Sequence, residues 1–101
     1  MDNKNYFFED TKKFENDFSS VVLSRKEEQF LLLLAKNKVI SYETLCKSIY
    51  NSDCFDELLK KRLTILKHRL QKKTGLPIEV VDKKGYYTKA KIDIATQLGI
   101  L

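Results

Sequence analysis

Apolar residues between Phe55 and Lys73 recur at the spacing of a helix. They fall into one narrow stripe at the 3.6-residue period, and basic residues occupy the flanks and the far side. The stripe consists of Phe55, Leu59, Leu63, Leu66 and Leu70. The pattern predicts an amphipathic helix over about residues 55–73. Its end is marked by Gly75, which suits a left-handed cap, and by Pro77, which cannot continue a helix.

Two shorter helices are predicted before this one. Ser24 and Glu27 have the spacing of a capping box, in which each side chain accepts a hydrogen bond from the other residue's backbone amide. The apolar residues that follow make this first helix the central one. A second helix begins at Ser41. Either Asp53 or Asp56 can cap the third helix, and the pattern does not choose between them.

Short β-rich clusters at the two ends of the chain predict strands. Three of them, at 6–8, 13–15 and 21–23, are separated by polar turns and predict a small antiparallel meander. Residues 78–81 and 86–89 flank a polar turn at 82–85 and predict a β-hairpin, with Gly85 free to adopt a positive φ. The order is therefore strands, three helices and a hairpin, which is an α+β arrangement.

Composition narrows the classes of protein that fit. A chain of 101 residues with 43% apolar and 33% charged residues is typical of one globular domain. No apolar run is long enough to span a bilayer, and the N-terminus does not resemble a secretory signal. Cys46 and Cys54 lack metal-ligand spacing, so we expect reduced thiols in a cytoplasmic protein. His68 is the only histidine, which leaves no nucleophile–base set, and we expect no enzyme, cofactor or metal site.

Charge is concentrated in the predicted third helix. The segment 55–73 holds seven Lys and Arg residues and two carboxylates, so its net charge of +5 equals that of the whole chain. A helix with an apolar anchor on one side and cations on the other suits the phosphate-lined grooves of DNA. A solvated lysine-rich surface is the alternative interpretation of the same pattern.

The ordered motifs resemble the OmpR/PhoB-type winged-helix DNA-binding domain, the effector half of many bacterial two-component response regulators. The resemblance covers about residues 5–90. The motifs are Leu23-Ser24-x-x-Glu27, Val39-Ile40-Ser41-x-Glu43-x-Leu45 followed by Ile49-Tyr50, Leu66-Lys67-His68-Arg69-Leu70, and Gly85-Tyr86. We therefore expect a winged helix-turn-helix with an N-terminal antiparallel sheet, three helices and a C-terminal β-hairpin wing. The resemblance implies that the N-terminal sheet has four strands. We accordingly expect a domain at 1–90 and a C-terminal extension at 91–101 that docks on the domain, forms a dimer contact or hangs free.

The resemblance also implies partners. The family binds double-stranded DNA, usually as two copies on direct repeats, and the loop at about 50–55 is where it contacts RNA polymerase. This chain has Tyr50 where tryptophan is common, and Tyr87 where arginine is frequent. The base preference is therefore not transferable. The 101 residues do not include the family's receiver domain, so we expect either an excised effector fragment or a stand-alone regulator without phosphorylation control.

The expected DNA contacts form two groups, those with bases and those with phosphates. Candidate base contacts on the helix are Lys61, Arg62, Thr64, Ile65 and His68, with Arg62 favoured for its bidentate guanidinium and Ile65 for a thymine methyl. Candidate phosphate contacts are Lys60, Lys67 and Lys72, with Lys83 and Lys84 at the wing tip and the hydroxyls of Tyr50 and Tyr86. Packing against the second helix or the loop is the alternative for Ile65 and Leu58, and core packing is the alternative for both tyrosines.

Two functions follow from the sequence. The first is sequence-specific binding of double-stranded DNA by a bacterial transcription regulator, with the helix at about 55–73 in the major groove and the wing at 82–85 on the backbone or minor groove. The alternative is a winged-helix protein-interaction module that has lost DNA binding.

Overall fold

The structure is a computed structural model that describes residues 4–36, 39–53, 55–81 and 84–95. These residues form three helices and seven strands. In chain order they are β1 (Asn5–Phe8), β2 (Lys13–Glu15), β3 (Ser20–Val22), α1 (Arg25–Lys36), β4 (Ile40–Ser41), α2 (Tyr42–Tyr50), α3 (Glu57–Thr74), β5 (Ile78–Val81), β6 (Gly85–Thr88) and β7 (Ile92–Ala95). The expected α+β fold with three helices and a hairpin is confirmed.

Local capping interactions set the helix ends. The Ser24 amide donates to Glu27 Oε1 at 2.8 Å and the Glu27 amide donates to Ser24 Oγ at 3.3 Å, so the capping box of α1 is confirmed. Ser41 Oγ accepts from the backbone of α2 in the same way. Asp56 caps α3 by accepting from the Leu59 amide at 2.9 Å, which decides between the two candidate aspartates. The helix therefore begins at residue 57, two residues later than expected.

One sheet of the described structure has the strand order β3-β2-β1-β7. The first three strands are antiparallel, as expected, but β7 is parallel to β1, with Asn5 opposite Ile92 and Phe8 opposite Ala95. The sheet has four strands, as the resemblance implied, but the fourth strand comes from the C-terminal segment and pairs in parallel. The domain boundary expected after residue 90 would separate β7 from β1, the strand with which it pairs. Residues 96–101 of the expected extension lie outside the described residues.

A second sheet carries the wing and has the order β4-β6-β5. The strands β5 and β6 form the antiparallel hairpin, and β6 also pairs with β4, which places Ser41 opposite Gly85. A Cβ at Gly85 would overlap the Ile40 carbonyl oxygen and lie 2.9 Å from Ser41 Cα. Gly85 does not adopt a positive φ, so that expectation is wrong. Close approach of the β4 backbone is what excludes a side chain there.

The core lies between the helices and the inner face of the four-stranded sheet. The expected leucine stripe of α3 faces it, and all four leucines of the stripe are buried. Phe7 and Phe14 from the sheet and Phe30 from α1 complete the packing and are fully buried. Phe55, the first residue of the expected stripe, lies before the helix and stacks on Tyr42 with ring centroids 4.9 Å apart.

Candidate nucleic-acid interface

The side of α3 opposite the leucine stripe is open to solvent. Lys61, His68 and Lys72 are exposed on it, and Ile65 is 52% exposed. Leu58, one turn before Arg62, is 57% exposed. Packing against α2 or the loop therefore does not account for Leu58 or Ile65. The face presents cations and aliphatic carbons side by side, which are the groups that contact guanine edges and thymine methyls in a major groove.

One flank of α3 faces the wing. Lys60 is exposed there, and the Thr64 hydroxyl donates to the Lys60 carbonyl at 2.9 Å. The Lys67 ammonium lies 5.8 Å from the centroid of the Tyr86 ring. Cation–π attraction holds Lys67 along this flank and leaves its charge unneutralised.

Tyr86 belongs to the core. It is only 4% exposed, and its ring contacts Phe30 and Tyr42 at centroid distances of 5.5 Å and 5.3 Å. Burial raises the pKa of its hydroxyl, and a hydrogen bond with Thr64 acts in the opposite direction. Of the two alternatives that the sequence left open for Tyr86, its position matches core packing. Its hydroxyl has little free surface to offer a phosphate.

The opposite flank of α3 faces α1 and the end of α2. Tyr50 is half-buried there, and the Lys26 ammonium lies 4.8 Å from the centroid of its ring. Arg62 and Arg69, both exposed, are close enough to act on the Tyr50 hydroxyl electrostatically. Sequence reasoning did not select Lys26 or Arg69. The spacing of Arg62 and Arg69, two helical turns apart, was the available signal for Arg69, and no local signal points to Lys26.

The wing tip adds a further cation. Lys84 is exposed and its amide donates to the Val81 carbonyl at 3.0 Å, which closes the turn between β5 and β6. Lys83, the other expected contact at the tip, lies outside the described residues. The pairing of β6 with β4 attaches this strand of the wing to the start of α2.

Ion pairing leaves most of the α3 cations uncompensated. Lys73 pairs with Glu27 at 2.8 Å. Burial by itself would raise the pKa of Glu27, but hydrogen bonds from Lys73 and Ser24 outweigh it and hold that pKa below its usual value. Within the described residues, no carboxylate oxygen lies within 4.0 Å of the remaining basic groups of the helix. These are Lys60, Lys61, Arg62, Lys67, Arg69 and Lys72.

Other kinds of site find no support in the part of the chain that the structure describes. It contains no group of three or more His, Cys, Asp or Glu side chains arranged to hold a metal ion. Cys46 is a free thiol, fully buried in α2, and Cys54 lies outside the described residues. None of the described helices has the length and apolar character needed to cross a membrane.

The arrangement of α2, α3 and the β5–β6 hairpin defines a winged helix-turn-helix domain. A similar solved structure is the DNA-binding domain of CssR from Bacillus subtilis, with 24% identity, a TM-score of 0.71, and coverage of 84% of this chain and 99% of that one. Another is the C-terminal domain of the nisin resistance regulator NsrR, a lantibiotic response regulator, with 25% identity, a TM-score of 0.60, and coverage of 80% and 88%. Protein-family models and curated proteins gave no match. The chain thus has the fold of OmpR/PhoB-type response-regulator effector domains, as the resemblance implied.

Proposed function

We propose that this protein is a bacterial transcription regulator that binds double-stranded DNA with α3 in the major groove and the wing on the backbone or the minor groove. The observation that carries the proposal is the open face of α3, where uncompensated cations surround exposed aliphatic side chains on a helix anchored by a buried stripe. The fold shared with the DNA-binding domains of CssR and NsrR supports it. Such a regulator works in the cytoplasm, where its DNA lies.

Each contact has a role that follows from its position. Lys61, Ile65 and His68 project from the centre of the open face, and Arg62 projects from its edge, so these residues are the candidates for base contacts. Thr64 lies beside the wing and is already bonded to Lys60, which makes it a secondary candidate.

Phosphate contacts surround these base contacts. Lys60, Lys67, Lys72 and the wing cations Lys83 and Lys84 hold the register without reading sequence. Two copies on direct repeats, and a polymerase contact through the loop at 50–55, complete the proposal. Lys47 pairs with Asp53 at 3.0 Å and fastens this loop to α2.

A mobility-shift titration tests the proposal. Neutralising six phosphates predicts an affinity loss of about 10³ between 50 and 200 mM salt. The double variant Lys61→Ala/Arg62→Ala should bind its preferred site and unrelated DNA almost equally, because base contacts are lost while most of the phosphate contacts remain. Unchanged discrimination in this variant would disprove the assignment of these two base contacts. Salt-independent or absent binding by the wild type would overturn DNA binding itself.

Exposed apolar groups favour a second candidate function, a protein-interaction module. Leu58 and Ile65 are both more than half exposed on the same helix. If they contact a protein partner, Leu58→Ser/Ile65→Ser should abolish that contact. The wild type should then show no salt-dependent binding to DNA. A wild type with a steep salt slope on DNA excludes this alternative as the main activity.

A further inference from the structure

Two triplets on α3 repeat the same distribution of charge. Lys60-Lys61-Arg62 and Lys67-His68-Arg69 are seven residues apart, which is about two helical turns. Successive helical residues differ by about 100°, so the first and third members of each triplet project to opposite flanks and the second projects between them. The first members lie on the flank beside the wing. The third members, Arg62 and Arg69, lie on the other flank.

Contacts with α1 identify this second flank. Lys73, four residues after Arg69 and therefore on the same side of the helix, reaches Glu27 of α1 at 2.8 Å. Lys26, next to Glu27 in α1, places its ammonium 4.8 Å from the ring centroid of Tyr50. Cations from α1 and α3 thus converge on the tyrosine that ends α2.

The convergence has no counter-charge among the described side chains. No described carboxylate oxygen lies within 4.0 Å of the basic groups of Lys26, Arg62 or Arg69, whereas Lys73 on the same flank is neutralised by Glu27. Burial raises the pKa of Tyr50, and the two arginines only partly offset it. The hydroxyl therefore stays protonated at neutral pH and is available as a donor. Like charges held together without an anion repel one another, so an anion bound there is stabilised.

We infer that Lys26, Tyr50 and Arg69 form a clamp for the backbone phosphates of one DNA strand, beside the base contact Arg62 and on the flank of α3 opposite Lys60 and Lys67. The inference rests on the proposed function and adds Lys26 and Arg69 to the interface. A helix 10–12 Å across fills a major groove about 12 Å wide, so both of its flanks meet a phosphate ridge. The wing-side lysines then hold one strand and the clamp holds the other.

The test compares two double variants that remove the same charge. Lys26→Gln/Arg69→Gln removes the two new members of the clamp. Lys4→Gln/Lys36→Gln removes two exposed lysines at β1 and at the far end of α1, about 15 Å along the helix from Lys26. Affinity for one preferred duplex and one random duplex is measured by fluorescence anisotropy from 50 to 300 mM salt, and thermal unfolding confirms that each variant is folded.

We expect the clamp variant to lose about two units of the slope of log affinity against log salt, since each phosphate contact contributes about 0.9. At 0.1 M salt this corresponds to a loss of roughly 10- to 100-fold, equal on both duplexes. Tyr50→Phe should lose a smaller amount on both duplexes without a change in slope, because it removes a neutral donor. The control should keep the wild-type slope.

The possible outcomes distinguish failure of the clamp from failure of DNA binding itself. A wild-type slope in the clamp variant, with the wild type itself steeply salt-dependent, overturns the clamp and leaves DNA binding intact. Equal losses in the clamp and control variants also overturn it, because net charge then explains the effect. A wild type with no salt-dependent binding overturns the proposed function itself. A loss of affinity confined to the preferred duplex overturns the clamp, because these residues would then be base contacts.

Discussion

Replacing Gly85 with alanine should release the wing from the helix-turn-helix. The added Cβ would overlap the Ile40 carbonyl oxygen and lie 2.6 Å from the Ile40 carbonyl carbon and 2.9 Å from Ser41 Cα. All three are backbone atoms, so no side-chain rotation relieves the overlap. The strands β4 and β6 must separate.

The distance by which β4 and β6 must separate determines how much stability is lost. Carbon atoms pack at about 3.5 Å or more, and the overlap with the carbonyl oxygen is deeper still, so the strands must part by at least about 1 Å. This breaks hydrogen bonds of the β4–β6 ladder, each worth about 0.5–1.5 kcal/mol, and disturbs the contacts of Tyr86 with Phe30 and Tyr42. We expect a loss of about 2–4 kcal/mol in the free energy of unfolding, on the scale of other backbone overlaps.

Gly75 provides the matched control. It adopts φ 73° at the end of α3, and a Cβ there would meet nothing within 4 Å. Gly75→Ala therefore carries only the left-handed backbone penalty of about 1–2 kcal/mol. Urea unfolding followed by circular dichroism measures both variants, and a loss of 2–4 kcal/mol corresponds to a fall of roughly 10–25 °C in Tm for a domain of this size.

The ranking of the two variants is the decisive result. Gly85→Ala should be the less stable protein, and its folded fraction should bind DNA more weakly than Gly75→Ala because the wing has moved. If Gly85→Ala matches the wild type, or is more stable than Gly75→Ala, then β6 does not pack against β4 as closely as described.

Three further predictions concern polar contacts. Asp56→Ala should destabilise the domain by about 1 kcal/mol in urea unfolding through loss of the α3 cap, whereas Asp53→Ala, which breaks only an exposed pair, should stay within about 0.5 kcal/mol of wild type; equal effects would contradict the assigned cap. The pKa of Glu27 is lowered by folding, so its ion pair with Lys73 contributes stability above about pH 4.5, its ordinary value, and loses it as pH falls through the folded pKa. Glu27→Gln should be about 1–2 kcal/mol less stable at pH 7 and show a shallower acid loss, and an unchanged pH profile would refute the pairing. Asn16→Ala should lose about 1–3 kcal/mol in thermal unfolding, because the side-chain Nδ2 of Asn16 donates to the carbonyl of Thr74 at 2.8 Å, and a neutral effect would contradict that role.

Local signals predicted most of the elements correctly. The leucine stripe of α3, the capping box of α1 and the hairpin at 78–88 all arise from residues within a few positions of one another. Their physical causes are periodic burial, satisfaction of the first helical amides, and turn geometry. The exposure of Lys61 also followed from the period, since a residue opposite a buried stripe faces solvent, whereas the period left open whether Ile65 is exposed or packed.

Contacts between distant segments were not predictable in the same way. The strand β7 pairs with β1 across more than eighty residues, and nothing local in 92–95 identifies its partner. Gly85 looked like a turn glycine, yet its constraint comes from Ile40, forty-five positions earlier. The sequence left Tyr86 open between a phosphate contact and core packing, and its ring contacts with Phe30 and Tyr42 come from distant parts of the chain.

For the basic helix α3, some properties follow from the sequence alone and others depend on the tertiary structure. By itself the sequence predicted a helix over about residues 55–73 with one buried side and a net positive charge, because periodicity and charge are properties of the helix alone. Only the tertiary structure decided which flank meets the wing and which meets α1. It paired Lys73 with Glu27, left Arg69 uncompensated, and brought Lys26 to Tyr50. The physical reason is that electrostatic partnership depends on distance through space, and packing sets that distance.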